Sequence, residues 1–463
     1  MQIVRGQALV TRNQRFIYPQ NEEIKPLELT ALINYNAQNL VPKYRENMNM
    51  YLGKHDILNN PATQTGLNNK LVANLTKYIV DTYGGYFLGI PPKITLDEGD
   101  ENDKFQQWLT NVSFVDKLAE ISKQADVYGR SYGFLYQKEN ANTGFTYVSP
   151  SKSFMIYDDT VEHAPLAFVR YEYLANQSEY QSHGFIYYAD KVIEFKAENF
   201  IGEEVNPYQL VPATEFFENE EREGVFDSVK TLVNALDKGL SQKANQVEYF
   251  DNAYLSIIGL HLPTDKNGNI KMNFKTNRVL YAPQTDPNSS KPDVKFISKP
   301  DSDTMQENYL TRLTNLIYQI SMVPNLSDIN FSGTSSGIAL KYKYLSMQMK
   351  ASEKERKFTK ALRQLFQIVF STGQVLPLQD ANDWQNLTFS FTRNVPDDVP
   401  GAIDAAKAAT GIVSHRTQLK LLPFVSNADD ELQQVGKEKA DQIKQARASM
   451  GDLMDGEKDE QDE

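Results

Sequence analysis

Three long amphipathic patterns lie between Gly224 and Gly373, and the link between the first two is a short strand-rich insert with few apolar residues to bury. In the first pattern Phe226, Val229, Val233, Leu236, Leu240 and Val247 recur at steps of three, four or seven, which puts one apolar stripe on one side of a helix. The second begins at Asp303, carries Met305, Tyr309, Leu313, Leu316, Ile320 and Val323, and must stop near Pro324, whose ring and missing donor forbid continuation. Helices with a single apolar face need neighbours. The layout predicts a two-helix shaft with a small tip, which suits a part of an assembly better than a pocketed enzyme.

The third pattern runs from a Ser335 or Ser336 N-cap to about Thr372, with Gly373 beyond it. It is basic: Lys341, Lys343, Lys350, Lys354, Arg356, Lys357, Lys360 and Arg363 outnumber Glu353 and Glu355. These cations have two readings, contact with phosphates or pairing with acids along the helix and on a neighbour. The intervening run PNLSDINFSGTSSG, Pro324 to Gly337, is a loop by composition. It lacks the Lys followed by Ser or Thr that a phosphate-binding loop requires.

Upstream, the first forty residues mix amides, charges and scattered apolar groups and read as an arm or a loosely packed helix. A helix is predicted over Lys70 to Phe87, a strand over Lys93 to Leu96, and helical spacing over Asp103 to Tyr128, interrupted near Asn111 to Ser113 and capped by Gly129. Short runs rich in Tyr, Phe, Val and Ile follow at Ser131 to Tyr136, Phe145 to Val148, Ser153 to Tyr157, Leu166 to Tyr173, Phe185 to Tyr188 and Lys191 to Phe195, predicting an antiparallel sheet in an α+β body. Glu215 to Gly224 reads as an acidic turn. In the insert, strands are expected at Leu255 to Leu260, Ile270 to Phe274, Arg278 to Tyr281 and Val294 to Ile297, with Asn267-Gly268 as a hairpin turn. Beyond a strand near Leu387 to Phe391, helices are expected at Ala402 to Thr410, Thr417 to Leu422 and Ala428 to Met450 with Asn427 as N-cap, before an acidic tail.

The length of 463 residues predicts two to four structural units, and 40% hydrophobic with 23% charged residues is the composition of a globular chain. No apolar run reaches the roughly 18 residues of a membrane span, and Met1 to Pro19 does not read as a signal peptide. Cysteine is absent, which excludes disulfides and thiolate metal sites, and the five histidines show no metal-ligand spacing. A net charge of −12 disfavours a protein that grips nucleic acid through bulk charge. Asp158, Asp159 and Glu162 are the acids a metal-dependent nuclease would use, although adjacent acids between strands more often form a turn. No catalytic triad or paired-carboxylate arrangement stands out, and no cofactor is expected.

The order of these parts resembles the portal proteins of tailed bacteriophages, most closely the type in long-tailed phages of Gram-positive hosts. The likeness is carried by NKLVANLTKYIVDTYGGYFLGIPPKI at Asn69 to Ile94, ADVYGRSYGFLY at Ala125 to Tyr136, FMIYDDT at Phe154 to Thr160, KANQVEYFDNAYL at Lys243 to Leu255 and SGIALKYKYL at Ser336 to Leu345. The resemblance implies a portal-like α+β fold. It divides the chain into a wing at 1–224, a first stem helix at 225–254, a clip at 255–302 and a second stem helix at 303–323. A tunnel loop follows at 324–337, further wing at 338–396, a helical crown at 397–450 and an acidic tail at 451–463.

It also implies a non-enzymatic homo-oligomer, commonly a ring of twelve, at one capsid vertex of the virion. Double-stranded DNA would pass through it in packaging and ejection, and assembly would take place in the host cytoplasm. The implied partners are the terminase large subunit and head-completion or adaptor proteins at the clip, and scaffold and major capsid protein at the wing, with no membrane. The implied tunnel-loop residues are Asn325, Ser327, Asn330, Ser332, Gly333, Thr334 and Ser335. Those of the polar stem lining are Gln242, Asn245, Gln246, Gln306, Asn308, Asn315 and Gln319, and those of the partner-binding clip are Lys266, Asn267, Lys271, Lys275 and Arg278. Two rival readings remain: a metal-dependent DNA-processing enzyme, and a minor structural virion protein without a channel.

Overall fold

A computed structural model of the chain describes residues 2–61, 68–97, 99–139, 142–176, 179–251, 254–258, 260–261, 266–267, 284–285, 293–297, 303–326, 337–395, 399–422, 425, 428, 431–440 and 442–443. The chain divides into two compact units. One comprises Met1–Asn325 with Ser346–Arg393, the other Leu326–Leu345 with Asn394–Glu463.

The larger unit is built around an eight-stranded sheet. In spatial order its strands are Gln2–Arg5, Ala8–Val10, Phe16–Tyr18, Ser153–Asp158, Pro165–Asn176, Glu179–Tyr187, Lys191–Lys196 and Asn199–Val205. The first forty residues are therefore neither arm nor loose helix. Three of the strands come from them, Phe16, Ile17 and Tyr18 are wholly buried, and the Pro26–Tyr35 helix follows. Phe16–Tyr18 joins the sheet by parallel pairing, Phe16 opposite Ile156, and the other pairs are antiparallel. The strands expected to form one sheet form two: Arg130–Gln137 and Thr143–Val148 join Ala213–Phe217 in a separate three-stranded sheet. Their side chains meet those of the large sheet in an aromatic core where Phe134 and Tyr132 pack on Phe168.

Helices Leu75–Leu88, Asp100–Asn111 and Phe114–Tyr128 follow the predicted periods. The last ends at Gly129 with φ of 87°, and a side chain there would meet the Arg222 carbonyl oxygen at 2.1 Å, so glycine is required by both conformation and space. Strand Lys93–Thr95 pairs with Thr388–Ser390, and Phe87 stacks on Phe391. The third amphipathic pattern is one helix, Gly337–Ser371, whose Phe358, Leu362, Leu365, Phe366 and Val369 are buried.

In the smaller unit, helices Val399–Ala408 and His415–Leu419 are described, the second capped by the Ser414 hydroxyl accepting from Thr417 N at 3.3 Å. Gln418 Nε2 ties them together by donating to the Ala406 carbonyl at 3.0 Å. Residues 431–440 are helical, within the expected last helix, whereas its Asn427 cap lies outside the described residues.

Candidate functional site: the paired helices and their anchors

The first two amphipathic patterns form helices Lys230–Asp251 and Asp303–Ser321, packed side by side. Their seam is made by Val233 and Leu236 with Leu310, Leu313 and Ile317. The helices pack tightly at Gly239, where an added Cβ would meet Leu310 Cδ2 at 2.8 Å. An ion pair between Lys243 and Glu307 flanks the seam.

The expected apolar stripe of the second helix divides. Leu313 and Val323 are buried, but Met305, Tyr309 and Ile320 are 69%, 52% and 45% exposed, and Val247 on the first helix is exposed as well. Leu310 and Ile317, which the stripe omitted, fill the seam instead. The helix is apolar over a wider arc than one neighbour covers. At about 100° per residue, Met305, Tyr309, Leu316 and Ile320 form a flank roughly a quarter-turn from the seam. Asn308, Asn315 and Gln319 are all exposed and lie about half a turn from it. Gln306 is half-buried on the seam side.

On the first helix, Gln242 is exposed and Gln246 half-buried, while Asn245 has a partner within the chain. Its Oδ1 accepts from Asn69 N at 2.8 Å, Ser241 Oγ accepts from Leu71 N at 2.9 Å, and Asp237 Oδ1 accepts from Ala73 N at 2.7 Å. Residues 237, 241 and 245 share one helix face, so a run of polar side chains at i, i+4 and i+8 binds the backbone of an adjacent strap. These side chains satisfy strap N–H donors that no helix or sheet ladder pairs.

His55 completes this anchor. It is buried with Asp237, its Nδ1 2.5 Å from Asp237 Oδ2 and its Nε2 2.9 Å from the Met50 carbonyl. Both ring nitrogens face atoms that only accept, so both carry protons and the pair is an imidazolium with a carboxylate. Burial alone would push the His55 pKa down; the bond to Asp237 outweighs it and raises the pKa.

Two further buried charge clusters hold the body together. In the segment expected to be an acidic turn, Ala213–Phe217 is a strand. Its Glu215 accepts from Arg222 Nε at 3.1 Å and Nη2 at 3.0 Å, from Tyr157 OH, and lies 3.3 Å from Arg130 Nη1. Burial would raise the Glu215 pKa, but Arg222 and Arg130 hold it at about 2. The basic helix supplies the second cluster. Lys354 is buried with Nζ 2.5 Å from Asp126 Oδ1 and 3.3 Å from Glu218 Oε2, while burial pushes the Asp126 carboxyl well up despite Lys354. Lys350 Nζ donates to the Val225 and Ser321 carbonyls, and Lys357 pairs with Glu220. These three cations are turned toward partners in their own chain.

Of the other expected residues, Asn325 is half-buried, and Ser327, Asn330, Ser332, Gly333, Thr334 and Ser335 lie outside the described residues. Lys266 and Asn267 are exposed in a turn; Lys271, Lys275 and Arg278 lie outside the described residues. In the insert, Tyr254–Ile258 pairs with Asp293–Ile297 and Leu260–His261 with Gln284–Thr285, while the expected strands at 270–274 and 278–281 also lie outside. At the acidic trio, Asp158 Oδ1 accepts from Thr160 N, Thr160 Oγ1 and Ala164 N, which is turn chemistry. Among the described residues no group of three or more acids or histidines is arranged to hold a metal ion, and no helix is long and apolar enough to cross a membrane.

A family model described as phage portal protein, SPP1 Gp6-like, matches residues 31–445. Among curated proteins, the chain is 21% identical over 413 residues to the portal protein of Clostridium phage phiCD119, covering 82% of this chain and 89% of that protein. It is 22% identical over 472 aligned positions to the portal protein of Bacillus phage SPP1, covering 96% of this chain and 89% of the relative.

Proposed function

Since the chain belongs to the SPP1 Gp6-like family of phage portal proteins, structural and non-enzymatic components of the virion, we propose that its copies close into a ring whose lumen passes double-stranded DNA. The observation that carries this reading is the second helix of the pair. Its seam is filled by its own chain, yet a further apolar flank of Met305, Tyr309 and Ile320 stays exposed beside a face of amides, Asn308, Asn315 and Gln319, that carries a single cation, Arg312. A neighbouring copy would cover the flank through a heterologous contact, the kind that generates rings. Asn308, Asn315 and Gln319 would then line the channel together with Gln242. Duplex DNA carries one charge per about 1.7 Å, and a lining dense in lysine or arginine would hold phosphate and resist sliding, whereas amides let it pass.

In this reading 225–254 and 303–323 are the stem, 255–302 the clip, 324–337 the tunnel loop and 397–450 the crown. The wing combines 1–224 with 338–396. The ring, of about twelve copies by family resemblance, sits at one capsid vertex for packaging and ejection. Terminase and later the head-completion proteins dock on the clip, where Lys266 and Asn267 are exposed, and scaffold and major capsid protein meet the wing. Electron microscopy of the purified chain tests the reading: rings with a central opening are expected. A stable single molecule at every concentration, with or without capsid protein, overturns it.

A further inference from the structure

Strand Asn199–Val205 ends the eight-stranded sheet, and all seven of its residues are exposed. It has no proline or lysine, its charges are the acids Glu203 and Glu204, and Ile201 and Val205 are 54% and 78% exposed. The one irregularity of its ladder lies before Gly202, so Gly202 to Val205 is a regular run that turns alternate backbone groups outward.

That run leads into a cavity of about 500 Å³ where the two sheets face each other. Phe134, Tyr136, Phe185, Tyr187 and Tyr208 line it, and Glu204 and Val205 of the edge strand form part of its wall. Arg170 lies in the same wall with its guanidinium 5.6 Å from the Phe134 ring. An open edge beside an aromatic pocket is the pairing that recognises an extended peptide. The edge supplies main-chain hydrogen bonds and the pocket selects one side chain.

Charge identifies the occupant. The edge strand carries Glu203 and Glu204 and no cation, and the lysine nearest Glu203, Lys191 at 3.9 Å, lies closer to Glu23 at 2.8 Å. Opposite charges across adjacent strands are favoured. Arg170 in the pocket disfavours a basic side chain there and leaves the aromatic walls for an apolar one. We propose that Gly202–Val205 and the adjoining aromatic pocket bind, by strand addition, an extended segment of a partner protein that carries lysine or arginine along the edge and one bulky apolar side chain for the pocket. The proposal does not depend on the channel reading.

The test uses the full chain and a labelled heptapeptide alternating lysine with phenylalanine, followed by fluorescence anisotropy at 0.15 M salt. Saturable binding is expected. It should weaken at least tenfold when alternate peptide amides are N-methylated, when glutamate replaces the peptide lysines, and in a Glu203→Lys variant, whose altered side chain is exposed. The N-methylated arm leaves the protein untouched, so it decides the matter even if the variant folds poorly. No binding by the unaltered chain, or equal binding of the N-methylated peptide, overturns strand addition. Binding to single subunits that vanishes in assembled rings overturns the partner assignment, because a second copy then covers the edge.

Discussion

Replacing Met305 and Ile320 together by serine removes apolar surface that the isolated chain leaves in water. Full burial of such a side chain is worth about 1.5–3 kcal/mol. Scaled by exposures of 69% and 45%, covering both by a neighbour contributes about 1.7–3.4 kcal/mol per subunit contact. The double variant should therefore weaken each contact between about 15- and 300-fold. The fold of one subunit should hardly notice, since substitutions of exposed residues usually stay within about 0.5 kcal/mol. Mass photometry over a concentration series reads the first effect, and thermal unfolding of the dissociated subunit reads the second. Rings forming at the unaltered concentration would refute the assignment of this flank to a subunit contact. So would a subunit destabilised by the whole amount, because the flank would then be packing within its own chain.

The His55–Asp237 pair makes stability fall as pH rises. The folded-state pKa of His55 lies above its ordinary value near 6.5, so the stabilisation is complete below about pH 6.5 and is lost as pH climbs through the raised value. Thermal melts across that range should show the decline and a His55→Gln variant should lack it; identical profiles would count against a buried imidazolium. Arg222→Met leaves Glu215 buried without its main partner, and unfolding in urea should show a loss of about 3–5 kcal/mol, larger than that of a surface arginine variant. With its carboxyl held at about 2, Glu215 contributes stability that is present above its ordinary pKa and lost only as pH falls toward that low value. Gly333→Pro stiffens the proposed tunnel loop; rings should still form while DNA filling of capsids drops, and normal filling would count against a role for that loop.

The long helices were legible because periodicity is local: six apolar positions in each of the first two patterns repeat the same signal. The three N-terminal strands were not, being only three or four residues long, and the one that joins them to the rest of the sheet, Phe16–Tyr18, pairs with a strand far along the chain. The apolar stripe of Asp303–Ser321 was found, but spacing does not say which edge of a wide arc packs inward; Leu310 and Ile317 took the seam because Gly239 lets the helices approach there. Buried charge was the least readable feature. Lys354 looks like its neighbours along a basic helix, and only the fold brings Asp126, from a helix more than two hundred positions earlier, to its ammonium group. Asn245 read as a lining amide, and the backbone of Asn69 that engages it lies 176 positions away.

The parallel pairing of Phe16 with Ile156 sets a waiting time during synthesis. The two residues are 140 positions apart, which at about 5–20 residues per second means roughly 7–28 s between the emergence of one strand and of its mate. Throughout that interval Phe16, Ile17 and Tyr18, all shielded in the finished molecule, have only their local partners, such as Tyr35 beside Phe16 and Glu28 at the Tyr18 hydroxyl, and lack the strand that completes their cover. The opening of the chain is thus made first and seated late, and nascent copies crowded on one message would meet through these same aromatic and branched side chains before any of them could fold away.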